Sequence, residues 1–280
     1  MGVQQELHQG DVLRPHFSPE PRSLASFAQT VRPRARFHRG SSTIPGGVVI
    51  IGVSGEASSG KDTTSEHIQQ YSFAPVAFAD PIKRYCREIY NFSIDQLWGP
   101  SHMRNEPDHR YPRAHGPWVK GKCACCGVED LGPDRLVLLP CFLTPRFALQ
   151  RLGSEWARDC FQDTWASYGL RLAKTLLSGG YVYSGPQGLQ PLQHDTPYKG
   201  VAFSDVRFLN EMTHIRSAGG LLLRVRRPVT SRLHDTTHRS EAEQRDVPDS
   251  YFDAVIFNDG TLPELYTKID MFMEAQGCRK

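Results

Sequence analysis

The stretch from Val48 to Thr64, VVIIGVSGEASSGKDTT, constrains the fold of this chain more than any other. Its unbroken apolar run, up to Val53, predicts a strand buried on both faces of a parallel sheet. Gly55, four intervening residues, Gly60 and Lys61 then form a spacing typical of a phosphate loop that opens a helix. Glycines let the backbone curl until its N–H groups point at phosphate oxygens, and the helix N-terminus adds partial positive charge.

The side chains of this loop predict a nucleoside triphosphate as the ligand. The Lys61 ammonium can bridge the β- and γ-phosphates and offset the charge that moves during phosphoryl transfer. Asp62 stands where most phosphate loops carry the hydroxyl that ligates Mg²⁺; Thr63 could supply it, or phosphates and water could hold the ion. The predicted ATP-binding loop residues are Gly55, Ser58, Ser59, Gly60, Lys61, Asp62, Thr63 and Thr64.

Composition sets the broad class of the chain. Its 280 residues suffice for one large domain with insertions, and 33 basic against 30 acidic residues indicate no strong field for nucleic acid or membrane. No apolar run of about 18 residues could span a membrane, and the N-terminus lacks the apolar segment of a signal peptide. Seven cysteines are an odd number without the spacing of a disulfide framework. We therefore expect a cytoplasmic protein.

Residues 1–46 differ from the rest of the chain. They are rich in Pro, Arg, Ser and His, show no helical or strand period, and carry Arg32, Arg34, Arg36 and Arg39 close together. This composition predicts a disordered basic tail. The alternative is an arm that contacts nucleic acid or a partner protein.

From residue 47 to 280 the pattern predicts one α/β domain, with a parallel sheet of about five strands flanked by helices. Further strands are predicted at Ala74–Ala79, Gly200–Asp205, Leu221–Val225 and Asp253–Phe257. Helices are predicted after Asp80, as N-cap, and over Thr144–Arg158, Trp165–Leu177, Arg207–Ala218 and Leu262–Phe272. The segment Gly179–Lys199 is predicted to be a loop.

In parallel sheets of this kind, ligands bind at the carboxyl ends of the strands. Charged side chains follow two of the predicted strands at these ends. Asp80, Lys83 and Arg84 follow the second strand, and Asp205 and Arg207 follow the third. The helix Thr144–Arg158, with Thr144 as its predicted N-cap, adds an arginine cluster suited to phosphate: Arg146, Arg151 and Arg158. The alternatives are a helix cap for Asp80, a solvated helix face for Lys83 and Arg84, and ordinary surface charge for the arginines of the Thr144–Arg158 helix.

Two segments predict local elaborations of the domain. The polar segment 226–250, with Arg226, Arg227 and His238, is typical of a lid that closes over phosphates; the alternative is a surface loop. The segment 99–143 is predicted to be an insertion.

The insertion carries a candidate metal site. Cys123-x-x-Cys126-Gly127 has the spacing of half a zinc knuckle. Cys141 together with Cys125, His115 or His109 could complete a structural zinc site. Free thiols and a redox role are the alternatives.

The order of these motifs resembles the deoxynucleoside monophosphate kinase family of tailed bacteriophages. The motifs that carry the resemblance are Gly60-Lys61-Asp62-Thr63, Phe78–Lys83, Gln150–Gly153, Glu155-Trp156, Ser204–Phe208, Asn210-Glu211, Ala218–Gly220, Arg224–Pro228, His238-x-Ser240-Glu241 and Asn258–Thr261. They span roughly residues 48–270, and Asp after the loop lysine is usual in that family.

The resemblance implies a P-loop nucleotide kinase fold and transfer of the γ-phosphoryl group of ATP, with Mg²⁺, to a deoxynucleoside monophosphate. It implies that Lys61, Arg151 and Arg207 are catalytic and that Asn258 and Gly260 lie near the adenine. The implied substrate-binding residues are Asp80, Lys83, Arg84, Arg151, Glu155, Trp156, Asp205, Arg207 and Asn210. If the protein is viral, its compartment would be the host-cell cytoplasm.

Two other functions remain open on the sequence. A related kinase could act on a modified base within DNA and use the N-terminal arm to hold the backbone. The second is a nucleotide-binding regulator without transferase activity. The arginine cluster argues against it, because a protein that only binds a nucleotide needs no second phosphate-binding group. The sequence leaves the number of subunits open, a homodimer included.

Overall fold

The computed structural model describes residues 50–129, 132, 140–192, 198–228, 244 and 246–280. The predicted tail, the first residues of the first predicted strand, and His238 lie outside this range. The strands, in chain order, are β1 (Ile50–Ser54), β2 (Phe73–Ala77), β3 (Asp108–Arg113), β4 (Trp118–Val119), β5 (Lys122–Cys123), β6 (Cys141–Leu143), β7 (Tyr181–Ser184), β8 (Gly188–Pro191), β9 (Gly200–Ser204), β10 (Leu221–Arg226) and β11 (Ala254–Phe257).

The helices alternate with these strands. They are α1 (Lys61–Ile68), α2 (Asp80–Tyr90), α3 (Ile94–Trp98), α4 (Pro145–Gln150), α5 (Ala157–Cys160), α6 (Thr164–Leu177), α7 (Leu209–Ser217) and α8 (Leu262–Ala275). A π-helical stretch, Arg151–Trp156, joins α4 to α5, and 3₁₀ turns cover Gln69–Tyr71, Ser101–Asn105 and Asp249–Tyr251. Among the described residues, no helix combines the length and apolar character needed to cross a membrane.

Five parallel strands form the central sheet of the described chain, in the order β11, β10, β1, β9, β2. All five residues of β1 are buried, because helices cover both faces of the sheet. Ile50 faces the core formed with α6 and α7, whereas Ile51 and Val53 face the core formed with α1 and α8. The predicted α/β class, with about five parallel strands flanked by helices and a cysteine-containing insertion, is confirmed.

Most predicted elements lie within one or two residues of their expected ends, but Asp80 is not the N-cap of α2. Ala79 takes that position without a side-chain cap bond, and Asp80 begins the helix itself. Thr144, by contrast, caps α4 as predicted, and its hydroxyl accepts a hydrogen bond from Phe147 N at 3.2 Å.

The prediction of a loop over Gly179–Lys199 is wrong, because β7 and β8 form an antiparallel hairpin there. Gly185, Pro186 and Gln187 form its turn, and Gly188, Gln190 and Pro191 lie in β8. Tyr183 on β7 is 4% exposed and packs in the main core, so tertiary contacts stabilise a strand pair that local composition does not indicate.

The insertion forms its own small elements beside the main sheet. Strand β3 pairs with β6, and β4 pairs with β5. The strand β6 leads directly into the capped start of α4, so the insertion ends at the helix that carries the predicted arginine cluster.

Candidate active site

The strand order places the predicted phosphate loop, after β1, at a point where the order of the strands in the sheet reverses. From β1 the chain passes through α1 to β2, whereas from β9 it passes through α7 to β10 on the other side of β1. In open α/β sheets, ligands bind at such a point, outside the carboxyl ends of the strands. The loop after β1 lies there, with Asp205 after β9 and Arg227 after β10.

The loop itself has a curled backbone. Ser58 and Gly60 have left-handed φ values of 62° and 100°. A Cβ atom on Gly60 would lie 2.5 Å from Nδ2 of Asn258, a buried side chain whose amide donates to Ser59 O at 2.9 Å. Among the described residues, the buried Ser59 Oγ has no hydrogen-bond partner. The curl is therefore held by close packing from β11 and has a polar lining.

Lys61 and Asp205 form the centre of the site. Lys61 is 7% exposed, and its Nζ lies 3.6 Å from Asp205 Oδ1 and 3.4 Å from Glu56 O. Arg207 Nε lies 2.9 Å from the same carboxylate oxygen. Burial raises the pKa of Asp205, but the charges of Arg207, Lys61 and Lys83 outweigh it and hold that pKa below its usual value.

A buried glutamate orients this turn. Glu211 Oε2 accepts from the backbone N–H groups of Arg207 and Phe208 at 2.9 and 3.1 Å, and Oε1 accepts from Arg158 Nη2 at 2.8 Å. Burial raises the pKa of Glu211, although Arg158 opposes that rise. Arg158, predicted as part of the arginine cluster, thus acts through Glu211 on the backbone of Arg207.

Two further cations stand near Asp205. Burial lowers the pKa of Lys83, whose Nζ lies 4.0 Å from Asp80 Oδ1. Burial also lowers the pKa of Arg104, although the carboxylates of Asp205 and Asp62 oppose the shift. Arg104 donates to Leu97 O and to Gly99 O, both at 3.2 Å. Sequence reasoning missed Arg104, because nothing in the aperiodic segment 99–143 distinguishes it from neighbouring basic residues.

Asp80 and Arg84 are bound into a network with the β7–β8 hairpin. Asp80 accepts from Trp98 Nε1 and from Tyr183 OH, each at 3.0 Å. Arg84 donates to Gly185 O at 2.8 Å and to Tyr183 OH at 3.3 Å. Neither predicted alternative, a helix cap or a solvated surface charge, describes these residues; the network fixes α2 against the hairpin beside Lys83.

The other predicted substrate residues make contacts within their own elements or with neighbouring ones. Arg151 pairs with Glu155 within the π-helical stretch, and both are about half exposed. Trp156, 60% exposed, lines a groove of about 130 Å³ together with Pro81, Ile82, Tyr85, Leu152 and Trp165. Asn210 donates to Gln162 O at 3.0 Å and to Asp163 Oδ1 at 2.9 Å, which ties α7 to the start of α6.

The segment predicted to be a lid is partly packed in the core. Gln244, 2% exposed, donates to Ser54 Oγ at 2.8 Å and to Gly55 O at 3.1 Å, so it supports the start of the phosphate loop. Arg226 pairs with Asp249 at 2.8 Å, whereas Arg227 donates to Ser58 O at 3.4 Å. The rest of the predicted lid, residues 229–243 with His238, lies outside the described residues.

Asn258 and Gly260 follow β11. Asn258 contacts the phosphate loop, as described above. Gly260 is exposed and adjoins the capping box of α8, in which Glu264 Oε2 accepts from Thr261 N at 2.6 Å. A position near an adenine therefore stays a prediction for both residues.

The predicted metal residues come together in the insertion. Ligand atoms of His115, Cys123, Cys126 and Cys141 all lie within 4.8 Å of one another. Burial raises the pKa of Cys123, but backbone N–H groups of Cys126, Gly116 and Cys125 outweigh it and lower that pKa.

Comparisons with known proteins add one substantial similarity. No protein-family model matches the chain. A protein of Acanthamoeba polyphaga mimivirus, named "Putative deoxynucleotide monophosphate kinase", is 29% identical over 223 residues, which cover 79% of this chain and 94% of that protein. The crystal structure of TT1252 from Thermus thermophilus is 16% identical, covers 82% of this chain and 98% of that one, and superposes with a TM-score of 0.37, too low to support an inference.

Proposed function

We propose that this chain transfers the γ-phosphoryl group of ATP to a deoxynucleoside monophosphate, producing ADP and the deoxynucleoside diphosphate. The name of the mimivirus relative supports a nucleotide kinase in general. The observation that carries the proposal is the pairing of two features at one edge of the sheet. A curled, glycine-bearing loop lies beside a second group of cations, formed by Arg207, Lys83 and Arg104 around Asp205.

The loop suits a triphosphate. A left-handed Gly60 and an unpartnered buried hydroxyl of Ser59 are features of a backbone cradle for an anion. The loop amides and Lys61 would hold the phosphates of ATP at the N-terminus of α1. Arg227, which already reaches Ser58 O, would add a cation at the rim.

Mg²⁺ would offset phosphate charge when it is bound with ATP. The Thr64 hydroxyl donates to Gly60 O at 2.9 Å and so is already used by the fold. Thr63, which is half-buried, and the Asp205 carboxylate are therefore the groups that we assign to the ion or to its water ligands.

The acceptor would occupy the other side of the cleft. Lys83, Arg104 and Arg207 would bind its phosphate, because cations that are partly removed from water attract an anion more strongly. We assign its base to the groove beside Trp156 and Tyr85, which are 60% and 47% exposed. Flat aromatic side chains at such a groove suit stacking with a nucleobase.

The reaction needs no protein nucleophile. An oxygen of the monophosphate attacks the γ-phosphorus in line, and ADP leaves with the electron pair of the broken bond. Lys61 and Arg207 would stabilise the equatorial oxygens of the transferred group, while Glu211 and Arg158 keep the Arg207 backbone in place.

The test is diphosphate formation from ATP with each of the four deoxynucleoside monophosphates. We expect Lys61→Ala to lower kcat/KM by about 10³-fold or more. The matched control is Lys174→Ala, which removes an exposed lysine of α6 and should leave turnover unchanged. Near-normal turnover of Lys61→Ala would exclude the loop from the mechanism.

The same assay separates the alternatives. With an oligonucleotide acceptor, a kinase of bases within DNA would transfer phosphate to the strand, lose activity without residues 1–46 and show steep salt dependence. A kinase of free mononucleotides should be indifferent to that deletion. If neither kind of acceptor is phosphorylated while ATP still binds, the chain is a nucleotide-binding regulator and the proposal is wrong.

A further inference from the structure

The cluster in the insertion has the dimensions of a tetrahedral metal site. Cys123 Sγ and Cys141 Sγ lie 3.9 Å apart, and Cys126 Sγ lies 3.4 Å from His115 Nδ1. With metal–ligand bonds of about 2.3 Å to sulfur and about 2.05 Å to nitrogen, a tetrahedral Zn²⁺ site separates two thiolates by about 3.8 Å and a thiolate from an imidazole by about 3.5 Å. Two of the ligand pairs thus lie at the spacing of an occupied site, and all four ligand atoms lie within 4.8 Å of one another.

The backbone around Cys123 has the form of a metal-binding knuckle. Cys123 ends β5, and the turn continues to Gly127, whose φ of 74° is left-handed. Gly127 N donates to Cys123 O at 2.8 Å and Gly116 N donates to Cys123 Sγ at 3.2 Å. Backbone N–H groups that point at a sulfur stabilise the thiolate form that a metal requires.

The structure also distinguishes among the alternatives for the fourth ligand. Cys125 lies in the same turn but turns away, and its Sγ donates to Phe142 O at 3.0 Å. His109 stacks edge-on against Phe142 at 4.5 Å between ring centroids. His115 is therefore the member of the set that completes the site with Cys123, Cys126 and Cys141.

The charge of an occupied site would be balanced nearby. Three thiolates and one Zn²⁺ carry a net charge of −1. Arg113 Nη1 lies 3.9 Å from Cys141 Sγ, and Nη2 donates to Gly116 O at 2.8 Å. The same guanidinium lies 4.3 Å from the ring centroid of Phe147 on α4, so it links the cluster to that helix.

We propose that His115, Cys123, Cys126 and Cys141 bind one structural Zn²⁺ that holds the insertion together. Three thiolates and an imidazole in a tetrahedral arrangement favour Zn²⁺ over harder divalent ions. The ligands come from three separate pieces: His115 from the loop after β3, Cys123 and Cys126 from the end of β5 and the turn after it, and Cys141 from β6. Two-stranded sheets of two to six residues per strand cannot form a stable fold alone, so the ion replaces the missing apolar core.

The ion would also fix the approach of the insertion to the cleft. The strand β6 leads into α4, where Arg146 donates to Ser101 Oγ at 2.9 Å. Ser101 begins the 3₁₀ turn that carries Arg104. Loss of the ion should therefore loosen Arg104 and weaken acceptor binding more than ATP binding.

The test uses the full chain purified without chelators. We expect one zinc per chain by elemental analysis. After replacement by Co²⁺ we expect the visible absorption of a tetrahedral site and thiolate-to-cobalt charge transfer. Cys126→Ser should bind Zn²⁺ more than about 100-fold more weakly, because loss of a direct ligand exceeds the effect of an outer-shell change. Cys125→Ser, the same change one residue away, should bind Zn²⁺ like the natural sequence.

Three results would overturn the proposal: a folded chain without stoichiometric zinc, equal loss of zinc in both serine variants, or a Cys123–Cys141 disulfide in the purified protein. Should Cys126→Ser fail to fold, stepwise chelation of the unchanged chain decides instead. Proteolysis confined to residues 105–145 upon chelation supports the site, and unchanged resistance rejects it. None of these measurements depends on kinase activity.

Discussion

The packing of Asn258 against the phosphate loop makes a quantitative prediction for Gly60→Ala. The substitution keeps a left-handed residue at φ 100°, which costs a non-glycine residue about 1–2 kcal/mol. Its Cβ would also lie 2.5 Å from Asn258 Nδ2, so the amide must move away from Ser59 O. A buried carbonyl without a donor costs about 1–3 kcal/mol. Together these effects predict a loss of about 2–5 kcal/mol in the free energy of unfolding.

Gly219→Ala is the matched control. Gly219 has a φ of 78°, and no atom of the described residues lies within 4 Å of an added Cβ. This change therefore carries the backbone strain alone, about 1–2 kcal/mol. The free energies of unfolding of the two variants, measured with urea, should therefore differ by about 1–3 kcal/mol, which is the part of the loss due to Asn258. The KM for ATP should rise at least about tenfold in Gly60→Ala, since about 1.4 kcal/mol of lost loop organisation suffices, and stay unchanged in Gly219→Ala.

A double-mutant cycle isolates the contact. In an Asn258→Ala background the amide is absent, so the excess cost of Gly60→Ala over Gly219→Ala should disappear. Equal destabilisation by Gly60→Ala and Gly219→Ala in the natural background, or an excess that persists without Asn258, would refute the argument that β11 packs against and holds the loop.

Two further predictions concern stability. Arg158→Ala leaves the carboxylate of Glu211, which is 4% exposed, without its cationic partner. The free energy of unfolding, measured with urea, should fall by about 3–5 kcal/mol. Arg216→Ala, at a surface ion pair, should lower it by less than about 1 kcal/mol. Burial raises the pKa of Asp270, but its hydrogen-bond donors outweigh this and lower it to about 2. The lowered pKa of Asp270 should stabilise the fold by about 1 kcal/mol, after discounting for the 28% exposure of its side chain. This stabilisation is present above about pH 4 and is lost as the pH falls towards 2. The free energy of unfolding of Asp270→Asn should lack this acid-dependent loss.

The sequence alone predicted the elements whose signals are local. A continuous apolar run indicated a strand covered on both faces, the Gly55 to Lys61 spacing indicated the loop, and Cys123-x-x-Cys126 indicated a knuckle. Each signal spans only a few residues, and backbone stereochemistry restricts such short segments to few conformations. The loop after β1 and the parallel sheet could therefore be predicted before any contact was known.

The tertiary structure decided which distant side chains complete these local features. Asn258 lies on the loop 199 residues after Ser59, Tyr183 binds Asp80 across 103 residues, and His115 rather than Cys125 faces Cys126. Arg104, from a segment without any period, interacts with the carboxylates of Asp205 and Asp62. Such pairings depend on how helices and strands pack, and the free energy of packing is a property of the whole assembled core rather than of any short stretch. Sequence pattern therefore determined the curled loop after β1, and packing determined which distant side chains surround it.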